Sequence, residues 1–261
     1  MDKSTMIAKI ASDPEDRLLL ARVLDKFEQM ERRGIPTATG FLTPREQAMA
    51  TALLHTAGVR TGFLFDGGYE AAERKILLFL PEWAEEDETA LAFLRADFHG
   101  ADSTLTHRDL LGSLMGLGVT REKLGDILIS PHSADLIAAP SLAEFLLREW
   151  DSAGRVKLSV SVIDRAALTV PEVRTRIIRD TVSSPRLDAI VSSAFSMSRG
   201  KAADLIAAGK VNLDHVPCEK PDKPVPEGAV ITARGFGKAR LTQLGGLTKK
   251  GRTGIVIEKY E

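Results

Sequence analysis

The chain contains 261 residues, of which 44% are hydrophobic and 27% charged, a length typical of one large or two modest globular domains. No apolar run approaches the roughly 20 residues that span a bilayer, and the first four residues lack the features of a signal peptide. We therefore expect a cytoplasmic protein with no membrane partner. Cys218 is the one cysteine and the five histidines show no metal-ligand spacing, which excludes an intramolecular disulfide and disfavours a structural metal. We expect no cofactor.

The net charge of −1 conceals an asymmetry between the two ends of the chain. Residues 183–261 contain 13 Lys and Arg against 8 Asp and Glu, a net charge of +5, whereas residues 1–182 have a net charge of −6. The stretch from Arg234 to Arg252 carries six basic residues and no acidic one. This split suggests a basic module joined to an acidic body, and nucleic acid is the commonest anionic partner of such a module. A solvated basic face is the alternative on charge alone.

Residues 1–82 predict a small α+β region of helices and a hairpin. Asp13 can cap a first helix, and Thr43 with Glu46 can form a capping box for a second. A glycine-containing turn at Asp66-Gly67-Gly68 between two apolar runs is typical of a hairpin. The predicted elements are a helix from Pro14 to Gly34, a helix from Pro44 to about Gly58, and strands at 62–65 and 75–80.

Residues 83–182 predict a ferredoxin-like domain, because their pattern of elements is β-α-β-β-α-β, the split βαβ order. That fold serves RNA-recognition modules, enzymes and regulatory domains, so it indicates no function by itself. RNA-recognition modules stack bases on aromatic side chains of the central strands. Phe93 and Phe98 are the candidates here, and we interpret both as core residues. The predicted elements are strands at 91–98, 126–129, 135–138 and 156–163 and helices at 106–117 and 141–150.

A domain boundary is predicted near Ser183-Ser184-Pro185, which breaks the chain before the basic module. The stretch 170–180 before the boundary is polar and of mixed charge, and we interpret it as helical. The third region then covers residues 183–261.

Two short predicted helices follow this boundary. Ser198 can cap the second one, whose first turn contains Arg199 and Lys201. Cations are unfavourable there because a helix N-terminus already carries partial positive charge, and a bound phosphate would reverse that effect. We therefore interpret Arg199 and Lys201 as phosphate ligands. An ion pair between Arg199 and Asp188 or Asp204 is the structural alternative.

The two helices and the short strands after them resemble the RNA-binding domain of ribosomal protein S4 type. The matching residues extend over about 50 positions in the expected order, which makes the pattern far more specific than any single triplet. Asp214-His215 stands where many members have Asn-Gly, and we expect a looser turn there. The matching residues are Arg186-Leu187-Asp188, Ser198-Arg199, Ala203, Leu205-Ile206, Gly209, Lys210-Val211, Val225, Gly228, Val230-Ile231 and Arg234-Gly235.

Nearly the whole chain resembles the YlmH-like family of bacterial S4-domain proteins. The segments from Arg234 to Arg240 and from Thr248 to Arg252 are similar to the C-terminal signature of that family. The resemblance implies a middle domain that binds RNA, and binding to structured rRNA or tRNA on the large ribosomal subunit, in a rescue pathway for subunits that carry peptidyl-tRNA. Some members are also linked to cell division. Further similar segments are Phe41 to Gln47, Gly67 to Tyr69, Glu73-Arg74, His107 to Gly112, Gly116 to Gly118 and Gly125 to Ile127.

We find no catalytic constellation and interpret the protein as a non-enzymatic RNA-binding factor of α+β class. Its expected architecture is an N-terminal region of helices and a hairpin, a ferredoxin-like middle domain and a C-terminal S4-type (αL) RNA-binding domain. The alternatives are an RNA-modifying enzyme and an RNA-anchored adaptor linked to cell division. The sequence identifies no protein partner. The predicted RNA ligands are Arg186, Ser198, Arg199, Lys201, Lys210, Arg234, Lys238, Arg240, Lys249, Lys250 and Arg252.

Overall fold

The computed structural model describes residues 2–84, 91–98, 105–172, 174–248 and 251–260. The chain divides into two compact units, Met1–Pro171 and Glu172–Glu261, each with its own hydrophobic core. No helix within the described ranges is long and apolar enough to cross a membrane.

The first unit begins with three helices and a three-stranded antiparallel sheet of order β1-β3-β2. The second helix begins at the Asp13 cap and ends at Gly34, which adopts the left-handed conformation. The third helix begins with the capping box of Thr43 and Glu46. Both predicted helices and the predicted hairpin are confirmed, whereas α1 and β1 are additional. The elements are α1 (Lys3–Ile10), α2 (Pro14–Arg33), β1 (Thr37–Leu42), α3 (Pro44–Thr56), β2 (Phe63–Asp66) and β3 (Lys75–Phe79).

The rest of the first unit has the ferredoxin-like arrangement that the sequence predicts. Its antiparallel four-stranded sheet has the order β5-β6-β4-β9, in which β6 separates the two strands that the first crossover helix connects. The predicted last strand is divided, because β7 and β8 form a separate hairpin before β9. The elements are β4 (Ala92–Asp97), α4 (His107–Gly116), β5 (Leu124–Ile129), β6 (Ser133–Ala138), α5 (Ala143–Glu149), β7 (Ser152–Ala153), β8 (Val156–Lys157) and β9 (Ser159–Val162).

Both faces of this four-stranded sheet are covered by protein. Leu94 packs on one face in a core with α4 and α5, and Phe98 belongs to the same cluster. On the opposite face, Phe93 and Ile137 pack against Phe41 and other residues of the N-terminal region. Phe93 is 6% exposed and Phe98 is 1% exposed, which confirms that both are core residues. The sheet therefore offers no exposed aromatic platform for base stacking at these two positions.

Hydrogen bonds of Asp126 and Arg74 join the N-terminal region to the ferredoxin-like sheet. The carboxylate of Asp126 accepts from the Tyr69 hydroxyl at 3.0 Å and from the amides of Glu73 and Arg74 at 2.7 and 3.1 Å. The buried guanidinium of Arg74 donates to the carbonyl groups of Leu124, Phe41 and Arg121 at 2.8 to 3.0 Å. Because these residues lie in the upstream segments that resemble the YlmH-like family, those segments have a clear structural role.

The second unit consists of two helices packed on one face of a six-stranded antiparallel sheet of order β10-β15-β14-β13-β11-β12. Its core includes Leu187, Ile190, Ile206, Leu241 and Ile257, all of them fully buried. The elements are β10 (Thr175–Val182), α6 (Leu187–Ala194), α7 (Arg199–Ala207), β11 (Val211–Leu213), β12 (Val216–Pro217), β13 (Val230–Ala233), β14 (Gly237–Leu247) and β15 (Thr253–Tyr260).

The prediction of a helix over residues 170–180 is wrong. Residues Thr175–Val182 form an edge strand that pairs with β15 along its whole length. The charged residues that suggested a solvated helix lie on this exposed edge, while Ile178 packs on the core. A partner strand at the far end of the chain determines this structure, and local charge spacing cannot reveal it. Since β10 belongs to the second unit, that unit begins before the predicted boundary at residue 183.

Candidate nucleic-acid interface

A buried carboxylate links the N-terminal ends of α6 and α7. Asp188 is 6% exposed, and its Oδ2 accepts a hydrogen bond from Nη2 of Arg199 at 2.7 Å. Nε of Arg186 lies 3.4 Å from the other oxygen, Oδ1. The ion pair that the sequence left open as an alternative for Arg199 is therefore present. Both side chains stay partly accessible, since Arg186 and Arg199 are 42% and 50% exposed, although Nε of Arg186 is itself buried. Two cations share one carboxylate, so an excess of positive charge faces solvent.

The N-terminal amides of α6 are occupied by the protein itself. The amide of Leu187 donates to the carbonyl of Lys223 and the amide of Asp188 donates to the carbonyl of Pro221, both at 2.9 Å. The amide of Ala189 donates to Oδ1 of Asp188 at 2.8 Å. This end of α6 therefore has no amide available for a phosphate at these three positions.

The N-terminal end of α7 differs from that of α6. Oγ of Ser198 accepts from the amide of Lys201 at 3.3 Å, as expected for an N-cap. The amides of Arg199 and Gly200 have no acceptor among the described residues. Apart from its chain neighbours and the helix backbone, no atom lies within 4 Å of the position that a Cβ on Gly200 would occupy, so this side of the first turn is open. Unpaired amides together with adjacent cations suit an anion.

Two cations beside this charged surface lie against aromatic rings. Nζ of Lys201 lies 5.3 Å from the ring centre of Phe236, and Nζ of Lys259 lies 5.8 Å from that of Phe195. The two rings are 6.3 Å apart. Cation-π contacts of this kind hold the ammonium groups over the rings. The sequence did not single out Lys259 or Phe236, although Phe236 lies within the C-terminal signature. We call Arg186, Arg199, Gly200, Lys201 and Lys259 the α7 patch.

Lys238 and Arg240 lie on the other face of the sheet. Side chains alternate along a strand, and Ala239 and Leu241 of β14 point into the core beneath α6 and α7. Lys238 and Arg240 therefore point away from the α7 patch, and Nζ of Lys238 lies 5.1 Å from the ring centre of Tyr260. The structure thus divides the predicted ligands between two faces.

Three further predicted ligands lie at the edges of the second unit. Lys210 directly follows the α7 region, and its carbonyl accepts from the amide of Arg234 at 2.9 Å, so these two exposed residues are neighbours. The guanidinium of Arg252 donates to the hydroxyl and the carbonyl of Thr181, which ties the β14–β15 turn to β10. Lys249 and Lys250 lie outside the described residues.

The turn at Asp214-His215 is tight, and the expectation of a looser turn is wrong. It joins β11 to β12 as a two-residue hairpin turn, with φ values of 47° and 67°. The amide of Asp214 donates to the carbonyl of Val230, and Oδ1 of Asp214 accepts from the amide of Val230, both at 2.8 Å. These two hydrogen bonds stabilise a left-handed conformation that Asn-Gly would adopt more easily.

The part of the chain that the structure describes contains no group of three or more His, Cys, Asp or Glu side chains suited to a metal ion.

Two family models match the chain. The model described as "Putative RNA-binding domain in YlmH" matches residues 85–167, and the model described as "S4 domain" matches residues 185–231. The chain is 38% identical over 249 residues to the Bacillus subtilis (strain 168) protein named "Ribosome-associated protein quality control protein P2", covering 95% of this chain and 96% of that protein. A solved structure, "Cell division protein ylmH from Streptococcus pneumoniae", aligns with a TM-score of 0.51 at 20% identity, covering 62% of this chain and 98% of that one. The structural alignment supports the fold.

Proposed function

The chain belongs to the YlmH-like family of S4-domain proteins, and from that premise we propose that it is a non-enzymatic factor that binds structured RNA through its second unit. The observation that carries the proposal is the α7 patch, where a buried carboxylate holds Arg199 by a hydrogen bond and lies 3.4 Å from Arg186, beside an open helix N-terminus. We propose a cytoplasmic role on the large ribosomal subunit, in the quality-control process for which the Bacillus subtilis relative is named. The RNA would be rRNA or tRNA.

In the proposed contact, a phosphate oxygen accepts hydrogen bonds from the amides of Arg199 and Gly200 and pairs with the side chains of Arg199 and Lys201. Asp188 fixes the orientation of Arg199 before RNA arrives, which lowers the entropic cost of binding. Phosphate contacts position a protein without reading sequence, so the shape of the RNA sets the target.

The remaining predicted ligands have different parts in this proposal. Lys238 and Arg240 contact RNA separately from the α7 patch, because they point from the opposite face of the sheet. Lys210 and Arg234, which lie at adjacent ends of β11 and β13, extend the contact. Arg252 mainly stabilises the β14–β15 turn, since Thr181 occupies its guanidinium.

We propose three functional regions, 1–82, 83–171 and 172–261; the last one begins at residue 172 instead of the predicted residue 183, because β10 is its edge strand. The covered sheet face of the ferredoxin-like region disfavours base stacking on Phe93. An RNA-modifying enzyme would need a reactive constellation, and none was identified in the sequence. An adaptor role for the N-terminal regions is compatible with RNA binding by the second unit.

Sedimentation of a cell lysate through a low-salt sucrose gradient, with and without RNase, tests the proposal. We expect the wild-type protein to co-migrate with free large subunits, and the Arg199→Gln/Lys201→Gln variant to stay at the top of the gradient. Arg60→Gln/Arg155→Gln is the matched control, since it removes two exposed cations outside the second unit. Equal migration of all three proteins would contradict the assignment of the α7 patch.

A further inference from the structure

The first unit contains a cavity of about 700 Å³ between its N-terminal region and its ferredoxin-like region. Helix α2 forms one wall, β1 and the start of α3 form a second, and the short helical turn Arg121–Lys123 forms a third. Pockets that bind small molecules usually have volumes of roughly 300 to 1,000 Å³. The size of the cavity is therefore suited to a ligand such as a nucleotide.

The charged residues of the cavity are mainly basic. Five lining residues are cations, and two, Glu46 and Glu122, are acids. One oxygen of Glu46 already accepts from the amide of Thr43 at 2.6 Å in the capping box. Glu122 lies 3.8 Å from Arg22 on the opposite wall, in a pair that is largely exposed. The lining cations are Arg22, Lys26, Arg74, Arg121 and Lys123.

One guanidinium nitrogen of Arg121 lacks a hydrogen-bond acceptor. Its Nη1 is buried and has no acceptor among the described residues. A buried donor without an acceptor is costly and rare in folded proteins. Burial lowers the pKa of the neighbouring Arg74, and the positive charge of Arg121 lowers it further. Arg74 cannot accept a hydrogen bond from Arg121, because a guanidinium group has no acceptor. An anion in the cavity would offset the repulsion between these two cations.

The remaining lining residues form an apolar group and a hydroxyl-bearing group, the latter being Thr39, Thr43, Thr120 and Ser141. Leu19 and Val23 of α2 face the cavity, as do Phe41 and Leu42 of β1. Inorganic phosphate would leave this surface without contact, whereas a purine or pyrimidine ring could cover it. A cationic wall beside an apolar wall therefore fits a ligand that joins a phosphate to a planar base.

We propose that this cavity binds a nucleoside monophosphate unit, supplied either as a free nucleotide or as one residue of single-stranded RNA. Lys26 and Arg121 contact the phosphate, and the apolar wall contacts the base. The site lies in the first unit and does not depend on the α7 patch, so its existence is independent of the function proposed above.

Isothermal titration of the full-length protein tests the proposal with AMP, CMP, GMP and UMP. Adenosine and inorganic phosphate are the partial ligands, and a tetraribonucleotide represents RNA. We expect at least one nucleotide to bind more tightly than either partial ligand. Lys26→Gln and Arg121→Gln should each weaken binding about tenfold, the usual effect of one charge-assisted hydrogen bond. Glu122→Gln should strengthen it about twofold, and Arg60→Gln, which removes a cation outside the cavity, should leave it unchanged.

The same titrations in the Arg199→Gln/Lys201→Gln background separate this site from the α7 patch, because binding in the cavity should persist there. Binding of mononucleotides assigns the cavity to free nucleotides, and binding of the tetraribonucleotide alone, with the same variant pattern, assigns it to an RNA strand. The proposal is overturned if no probe binds, if phosphate binds as tightly as every nucleotide, or if the Lys26 and Arg121 variants bind like the wild type. Thermal unfolding of each variant checks that it is folded.

Discussion

Arg199 on α7 donates a 2.7 Å hydrogen bond to Asp188 on α6, and the acceptor is buried while the donor is half exposed. This pair connects the Arg-Leu-Asp and Ser-Arg segments of the S4 pattern in space. It stabilises the packing of the two helices and also fixes the direction in which the guanidinium points. A structural ion pair and a phosphate ligand are therefore compatible roles for the same arginine.

Asp188→Asn tests whether orientation or net charge controls RNA affinity. The change removes a negative charge, so an account based on charge alone predicts tighter binding. We expect weaker binding, by about fivefold, because Arg199 and Arg186 lose their common anchor. Filter binding to purified large ribosomal subunits measures the effect. Asp204→Asn, which removes an exposed carboxylate from α7, is the control and should bind at least as tightly as the wild type.

The same Asp188→Asn variant should lower the free energy of unfolding of the second unit by about 2 kcal/mol, since it removes the charge of a buried carboxylate that pairs with two partly exposed guanidinium groups. Urea denaturation followed by circular dichroism measures the change. A variant as stable as the wild type would show that the pair contributes nothing to the packing of α6 on α7.

The salt dependence of RNA binding reports how many phosphates the α7 patch contacts. Each lost phosphate contact reduces the slope of log K against log salt by about 0.7 to 0.9. Arg199→Gln/Lys201→Gln should therefore reduce the slope by about 1 to 2. Titrations between 50 and 200 mM salt provide the measurement, and an unchanged slope would mean that these side chains do not contact phosphate.

Helix ends were predictable because their signals are local. Asp13, the Thr43 capping box and Ser198 each cap the helix expected of them. Strand β10 was not predictable, since its partner β15 lies at the far end of the chain. The sequence also left the partner of Arg199 open, because charge spacing does not show how α7 packs on α6. The cations of the cavity come from segments distant in sequence and were not recognised as a group.

The side chains of β14 alternate between the two faces of the sheet, and this divides cations that are close in sequence. All six basic residues from Arg234 to Arg252 were predicted to bind RNA. Ala239 and Leu241 are buried between Lys238 and Arg240, so those two cations belong to the opposite face from the α7 patch. The alternation of apolar and basic residues was visible in the sequence. Which face of the sheet the helices cover depends on where α6 and α7 pack.

A substitution in the left-handed turn at Asp214-His215 should increase the stability of the second unit. An Asn-Gly pair adopts these φ values with less strain and Asn retains the oxygen that accepts from the amide of Val230. We expect Asp214→Asn/His215→Gly to raise the free energy of unfolding of the second unit by about 1 kcal/mol. Thermal and urea denaturation both measure this change, and a lower stability would show that the native side chains offset the strain.

Gly125 lies at the contact between the N-terminal region and the ferredoxin-like sheet. A Cβ there would come within 2.6 Å of the Phe41 ring. Gly125→Ala should destabilise the first unit by about 2 kcal/mol through overpacking. Phe41→Leu in the same chain should recover part of the loss, because it removes the clashing ring atoms. Differential scanning calorimetry measures both, and a Gly125→Ala variant as stable as the wild type would contradict the tight contact.

Phe93→Leu separates core packing from base stacking. We expect RNA affinity to stay within twofold of the wild type, because Phe93 is covered by the N-terminal region. The melting temperature of the first unit should fall, since the smaller side chain leaves part of a filled core empty. A large loss of RNA affinity in a stable Phe93→Leu protein would instead favour stacking of bases on this sheet.

The affinity of the purified protein for purified large ribosomal subunits tests the central claim most directly. Pelleting assays at low salt should show binding by the wild type and by Arg60→Gln/Arg155→Gln, and at least a tenfold loss for Arg199→Gln/Lys201→Gln with its fold intact. Equal affinity of the three proteins, or no binding by the wild type, would contradict the claim that the α7 patch anchors this protein to ribosomal RNA.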